Sequence, residues 1–317
     1  MRAVFMGTPS FVTPILEALN SDHQVDVVGV YTPPDRPRGR GRAPDMPPVK
    51  AYALELGLAV YQPVSLRSAR VQEELKELRP DVIVVAAYGK LLPSPVLQLP
   101  PHGCLNIHPS LLPKLRGPSP VASAILDGLT TTGVTLMLLD EGMDTGPVVT
   151  QREYPLSSLE TSESLTPALF ELGTGLLMDN LPDWAAGRLA PNPQDHAQAT
   201  VTHKLERSHG LADWTLPAEV LERQRRAYTP WPGLFTQWEG KVLKLLDVAD
   251  LGSPTGTPTG AGNEPGLAVK LEEPGYPVGI ATGQGVLGLR KVQLEGRRGV
   301  DAAEFLLGYP RFIGSRL

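Results

Sequence analysis

The sequence predicts an α/β chain, a doubly wound domain followed by a small β-barrel domain. Three observations carry this. Strand-like and helix-like patterns alternate through the first 189 residues. The run Asp81–Ala87 (DVIVVAA) is almost continuously apolar and β-branched, as a strand covered on both faces requires. Past residue 205 the pattern changes to short strand-like runs broken by Gly-rich turns, which suits a small antiparallel barrel.

Taken in order, Arg2–Met6 reads as a short apolar strand and Pro9–Leu19 as a helix. Val25–Tyr31 is a second strand, Val49–Leu56 a helix and Val71–Leu78 a charged amphipathic helix. Asp81–Ala87, Gly103–His108 and Val134–Leu138 add three strands, and Leu165–Ala185 a long closing helix. Alternation of this kind implies a parallel sheet with right-handed crossovers. A linker is expected at 190–205, because 190–203 (APNPQDHAQATVTH) is polar, contains proline and has no clear period. The barrel domain, 206–317, opens with a helix near Ala218–Arg226. Its strands are expected at Leu234–Trp238, Lys241–Val248, Leu267–Leu271, Val278–Ala281 and Val286–Val292, with Gly252–Gly266 a long hairpin loop.

Composition narrows the function classes. At 317 residues and 41% hydrophobic content the chain can bury two cores. Its 32 Gly and 33 Pro stay below the roughly 25–30% that marks low-complexity chains. The single cysteine, Cys104, rules out an internal disulfide and any multi-cysteine zinc site, and no metal is expected; flanked by apolar residues, Cys104 reads as core. No run approaches the ~18 apolar residues of a membrane span, and the start lacks the apolar centre of a signal peptide. A soluble cytoplasmic protein with no membrane partner is expected.

The net charge of −5 argues at first against a nucleic-acid partner. That total averages two different surfaces. Residues 1–200 hold 15 Lys and Arg against 21 Asp and Glu, giving −6, whereas 201–317 hold 14 against 13, giving +1. Between Pro33 and Arg42 lie Arg36, Arg38, Arg40 and Arg42 against Asp35 alone, a net +3 within ten residues. Arg223, Arg225, Arg226, Lys241, Lys244, Arg290, Lys291, Arg297 and Arg298 offer a second basic surface in the later domain.

The first strand-to-helix turn, Gly7-Thr8-Pro9, lacks the three spaced glycines of a dinucleotide site, and no P-loop pattern occurs. The informative strand is Gly103–Pro109. Alternation puts Cys104, Asn106 and His108 on one face, with Leu105 and Ile107 on the other. Pro109 cannot continue a central ladder, so Asn106 and His108 sit at the carboxyl end, where doubly wound sheets bind ligands. Asn supplies a neutral hydrogen-bond donor, and His a proton exchangeable near neutral pH. Ser110–Gly117 (SLLPKLRG) reads as a turn presenting backbone groups to a ligand. The acidic loop Asp140–Gly146 (DEGMDTG) brings Asp144 to His108 if the preceding strand ends at the same edge. A carboxylate beside an imidazole favours the charged ring. Such a set lacks a side-chain nucleophile and suits attack by an external amine or water on a carbonyl.

These residues resemble a known family. Asn106-Ile107-His108, then Ser110–Pro113 and Asp144-Thr145-Gly146, are similar to the 10-formyltetrahydrofolate-dependent formyltransferases. MGTPSF, PPDRPRGRGR before PPVK, DVIVVAAYGKLLP, Asp213-Trp214 and Pro230–Gly233 narrow the resemblance to the branch acting on initiator methionyl-tRNA. It covers nearly the whole chain. It implies a Rossmann-like catalytic domain and a C-terminal barrel of the oligonucleotide-binding type. It further implies 10-formyltetrahydrofolate as co-substrate, initiator methionyl-tRNA as partner, and a monomer. Asn106, His108 and Asp144 are then the catalytic set, and Ser110, Leu111, Leu112 and Pro113 line the folate site. Arg36, Arg38, Arg40 and Arg42 contact the tRNA acceptor end, with Arg40 closest to the family's functional arginine. Pro109 departs from this branch and matches the smaller relatives that formylate glycinamide ribonucleotide. Transfer to another amine, hydrolysis of the formyl donor and RNA binding without catalysis are the competing readings.

Overall fold

The computed structural model describes residues 1–38, 43–252 and 264–317. Arg40, Arg42 and most of the Gly252–Gly266 segment lie outside the described residues. The chain forms two compact units. The first comprises Met1–Pro120, Thr130–Leu156 and Ser164–His203, the second Val121–Leu129, Ser157–Glu163 and Lys204–Leu317.

The first unit is built on a seven-stranded sheet. Its strands are β1 (Arg2–Gly7), β2 (Asp26–Tyr31), β5 (Val60–Tyr61), β6 (Val82–Ala86), β7 (Cys104–His108), β8 (Thr131–Leu138) and β9 (Val148–Pro155), in the order β5-β2-β1-β6-β7-β8-β9. A two-stranded ribbon, β3 (Arg36–Arg38) and β4 (Ala43–Asp45), stands apart from it. The helices before β8 are α1 (Thr13–Ser21), α2 (Pro48–Glu55), α3 (Ala69–Glu77), α4 (Ser94–Leu97) and α5 (Pro120–Leu126), and α6 (Ser162–Ala185) follows β9. The chain leaves β5 at one edge and returns to β6 beside β1, so the order reverses between β1 and β6. The carboxyl ends of the strands on either side of such a reversal frame a ligand crevice.

The sheet is not parallel throughout. β8 runs antiparallel to β7, pairing Leu105 with Leu138 and His108 with Thr135, and β9 runs antiparallel to β8. A parallel return from β7 needs a helix crossing the sheet face. The one helix between β7 and β8, α5, falls from Val121 onward in the second unit. β9 escaped the sequence reading because it is an edge strand with alternating exposure, without a continuous apolar run.

Alternation in β7 is realised. Cys104 joins Val4, Met6, Ile83 and Val85 in a cluster closed by Leu75 of α3 and Val96 of α4. On the opposite face Ile107 meets α6 at Gly173, where a Cβ would stand 2.6 Å from the Ile107 side chain. A larger residue there would push the helix off the strand.

The second unit contains a six-stranded antiparallel sheet. β10 (Phe235–Trp238), β11 (Lys241–Asp250), β12 (Ala268–Glu273), β13 (Tyr276–Ala281) and β14 (Val286–Leu294) lie in the order β10-β11-β14-β13-β12, with β15 (Val300–Asp301) on β14. Helices α7 (Ala218–Ala227) and α8 (Ala302–Gly308) accompany it, together with most of α5. Trp238 anchors its core, with ring centroids 5.8 Å from Phe305, 5.5 Å from Tyr309 and 5.4 Å from Phe312. The indole N–H donates to Ser315 Oγ at 3.0 Å. Among the described residues no helix is long and apolar enough to cross a membrane.

Candidate active site

β7 delivers Asn106 and His108 to the carboxyl edge of the sheet. Asn106 is half-exposed, and its carboxamide has no hydrogen-bonding partner among the described residues. His108 is buried at 4% exposure, and both ring nitrogens face oxygen. Nε2 lies 3.0 Å from the Leu115 carbonyl, which can only accept, so Nε2 carries a proton there. Nδ1 stands 3.6 Å from Asp144 Oδ2.

Asp144 arrives by an unexpected route. Because β8 is antiparallel, it ends beside the start of β7 and not beside His108. The loop after it must double back to bring the carboxylate to the ring. Asp144 adopts φ +54°, a left-handed conformation uncommon outside glycine. Asp140 Oδ1 ties the loop internally, accepting from the Gly142 N–H at 3.0 Å and the Thr145 hydroxyl at 2.7 Å. The Asp144 carboxylate accepts from the Gly117 N–H at 2.8 Å. Gly117 sits at φ +105°, and a Cβ there would meet the Thr202 carbonyl oxygen at 2.9 Å, so this donor is carried by a residue that must be glycine. Left-handed residues Ala87, Leu115 and Asp144 all follow strands or turns of this unit near the chemistry-bearing residues, as strain often does at functional sites.

The turn 110–117 behaves differently from expectation. Six of its seven N–H groups are engaged inside the protein: Ser110 with the His108 carbonyl, Leu112 with Thr135 Oγ1, Lys114 with the Leu111 carbonyl, Leu115 with Thr200 Oγ1, Arg116 with the Thr200 carbonyl, and Gly117 with Asp144, which leaves that of Leu111. Backbone donors of a buried turn must be satisfied locally, which withdraws them from a ligand. Ser110 is fully buried and its hydroxyl donates to the Lys114 carbonyl at 2.7 Å. Leu112 is buried, and its carbonyl accepts from Gln151. Leu111 packs against Gly133 of β8 and, like Pro113, stays partly exposed. This segment therefore frames the edge of β7, and a polar role for Ser110 in gripping a ligand finds no free group.

Gln194, Thr200 and Thr202 went unnoticed in the sequence. They fall in the stretch read as a linker, yet Gln194 and Thr202 are buried and the stretch is bonded to the first unit, with Asn192 bridging Val148 and Val201 bridging Arg116. Buried Gln and Thr look no different in sequence from exposed ones, so no signal announced them.

The arginine-rich segment springs from a tied base. Lys50 Nζ donates to Asp35 Oδ2 at 2.6 Å, and Gln62 Nε2 donates to Asp35 Oδ1 at 2.7 Å and to the Pro33 carbonyl at 2.8 Å. These bonds, that from Lys50 first, hold the Asp35 carboxyl below its usual range. Arg36 and Arg38 lie on β3, opposite Asp45 and Ala43. In the second unit five of the expected surface cations are already paired: Arg223 with Glu219, Arg225 and Arg226 with Glu222, Arg290 with Asp247, and Arg298 with Glu304. Arg226 is buried and held by the Glu222 carboxylate one turn back on its own helix, so it leaves the expected basic surface. Lys241, Lys244, Lys291 and Arg297 are exposed and carry no ion pair among the described residues. No group of His, Cys, Asp and Glu able to hold a metal occurs among the described residues.

An amide donor, an imidazole and a carboxylate gathered at the carboxyl end of β7 suit carbonyl transfer without a side-chain nucleophile. The chain belongs to the formyl transferase family. Residues 1–181 match the formyl transferase family and residues 204–310 match the formyl transferase C-terminal domain. It is 48% identical over 308 residues to the methionyl-tRNA formyltransferase of Chloroflexus aggregans, covering 97% of each chain. An N-formyltransferase from Helicobacter canadensis, solved with folinic acid and dTDP-3-aminofucose, shares the fold at a TM-score of 0.65 and 17% identity, covering 90% of this chain and 98% of that one. HypX from Aquifex aeolicus, solved with tetrahydrofolic acid, shares it at 0.61 and 19% identity, covering 99% of this chain. This chain spans about half of HypX, 48% of its length.

Proposed function

We propose that the protein transfers a formyl group from 10-formyltetrahydrofolate to the α-amine of methionine on initiator methionyl-tRNA, acting in the cytoplasm as a monomer. One observation carries the chemistry: the unpartnered Asn106 carboxamide stands beside an imidazole whose two nitrogens both face oxygen. A free donor at a sheet edge is what a developing oxyanion requires. The methionyl acceptor is supported by the relative that is 48% identical over nearly all of both chains.

In the reaction the neutral amine attacks the formyl carbon, the bond from that carbon to N10 breaks, and one proton passes overall from the amine to N10. Asn106 donates to the carbonyl oxygen as it becomes an oxyanion, a contribution of roughly 3–4 kcal/mol in comparable sites. His108 has two roles open to it, charge stabilisation and proton relay. With Nε2–H held by the Leu115 carbonyl, relay through that nitrogen requires breaking a 3.0 Å bond, so the geometry favours stabilisation by the ring, with Asp144 as its counter-charge. Leu111 and Pro113, the two partly exposed members of 110–113, are the ones able to touch the folate. Residues 1–189 carry the chemistry and 206–317 grip the RNA through cations of the Lys241, Lys244, Lys291 and Arg297 kind. Arg36, Arg38, Arg40 and Arg42 meet the acceptor end, where phosphate contacts position the strand.

The test follows a labelled formyl group from 10-formyltetrahydrofolate with initiator methionyl-tRNA, with amino sugars, or with no acceptor. Label on methionyl-tRNA is expected. Label appearing only on an amino sugar, or as free formate, would replace this reading by sugar formylation or by hydrolysis.

A further inference from the structure

Gln194 is 8% exposed, and all four of its side-chain hydrogen-bonding positions are filled by protein. Nε2 donates to the Asp144 carbonyl at 2.9 Å and the Gly146 carbonyl at 2.6 Å. Oε1 accepts from Arg116 Nε at 3.1 Å and Arg116 Nη2 at 2.7 Å. The Arg116 guanidinium is itself buried and has no carboxylate partner among the described residues; Nη2 also donates to His196 Nδ1 at 3.2 Å. The amide thus joins a charged donor on the 110–117 turn to two carbonyls of the 139–147 loop.

These are the two segments that meet at His108. The turn supplies Leu115, whose carbonyl takes Nε2, and Gly117, whose N–H holds the Asp144 carboxylate; the loop supplies Asp144 itself. Asp144 holds a left-handed backbone that persists only when its surroundings over-determine it. The bond to Gly117 holds the carboxylate and the Asp140 bonds tie the loop to itself, but neither fastens the main chain at 144–146 to the 110–117 turn. The bonds from Gln194 to the carbonyls of 144 and 146 supply the second fixed point. A charged donor strengthens the hydrogen bonds it makes, so Arg116 stiffens the bridge from behind.

We propose that Gln194 is a positioning residue: by bridging Arg116 to the carbonyls of Asp144 and Gly146 it sets the Asp144 carboxylate against His108 Nδ1. The inference rests on the reading that His108 and Asp144 act in formyl transfer. Gln194→Glu is the sharpest probe, because a carboxylate of the same length keeps the Arg116 bonds and turns an acceptor toward two carbonyls. Two measurements are made on the full-length protein. One is kcat and KM for formyl transfer to methionyl-tRNA. The other is the ¹⁵N spectrum of the His108 ring in the free protein, assigned with His108→Gln. The expected result is a fall in kcat of about 10–100-fold, the range of lost supporting contacts in active sites. Both KM values should stay within about threefold, and the His108 ring signals should shift. Unchanged kcat, a loss carried by KM, or a fall in kcat with unmoved ring signals each overturns the proposal, the last two marking a binding or a purely structural role. If Gln194→Glu does not fold, Gln194→Met, which keeps the length and removes the bonds, is read by the same criteria. Wild-type protein that leaves methionyl-tRNA unformylated refutes the proposed function. The ring spectrum then still decides whether Gln194 positions Asp144.

Discussion

The two units solve opposite problems with opposite materials. Around His108 the first unit buries Arg116, Gln194 and Thr202 beside left-handed Leu115 and Asp144, a set of groups costly to bury unless every bond is made. The second unit holds its centre with Trp238, Phe305, Tyr309 and Phe312, four packed aromatic rings whose indole N–H donates to a serine hydroxyl. Apolar packing tolerates small shifts; a polar lattice with fixed valences does not. Around His108, then, buried polar groups serve placement, whereas the Trp238 cluster is held by packing.

The largest expected effect tests the stabilising side. Trp238→Ala removes the ring that three others pack against and should cost about 3–5 kcal/mol of stability, read by urea denaturation. A cost below about 1 kcal/mol would mean that the aromatic cluster does not carry the second unit. Next comes the placing side. Asn106→Ala should lower kcat about 10²–10³-fold with the denaturation midpoint unmoved, since no described protein group depends on that carboxamide. His108→Ala and Asp144→Ala should likewise lose most turnover while folate binding survives, as equilibrium titration with the donor would show. Near-normal turnover in any one removes that residue from the mechanism.

Smaller still is Arg40→Ala. It should raise KM for the charged tRNA, leave KM for folate unchanged, and reduce the salt slope of tRNA binding by about one. An unaltered tRNA dependence would count against the arginine segment. Cys104 should show no effect at all in the native state. Burial pushes its thiol up to about 12, so at pH 8 only about 10⁻⁴ of it is thiolate. A thiol reagent should titrate nothing in native protein and one group after denaturation; rapid native reaction would show that the face of β7 carrying Cys104 opens.

The alternation of β7 was legible because period two leaves no choice: Asn106 and His108 share a face wherever that strand lies. The approach of Asp144 was legible only in outcome. The reversal of β8 is a matter of which residues pair across the sheet, which no local pattern records. The 110–117 turn misled because polar and Gly-containing turns look open, while here Thr135, Thr200 and Asp144 meet its donors from far along the chain. Arg226 misled for a related reason: a count of charges weighs neither the carboxylate one turn back, Glu222, nor the burial of the pair.

The interleaving of the units also bears on how the chain is made. Residues 121–129 and 157–163 leave the ribosome well before Lys204–Leu317, the bulk of the unit to which they belong. The Ser162 hydroxyl waits for the Ala227 carbonyl, and the Glu160 carbonyl for the Arg226 guanidinium. Synthesis therefore cannot finish one unit and then begin the other. A gene cut between residues 203 and 204 would leave one piece carrying surplus parts of the other and the second piece lacking them, so domain exchange in this protein calls for five junctions to be moved together and not one.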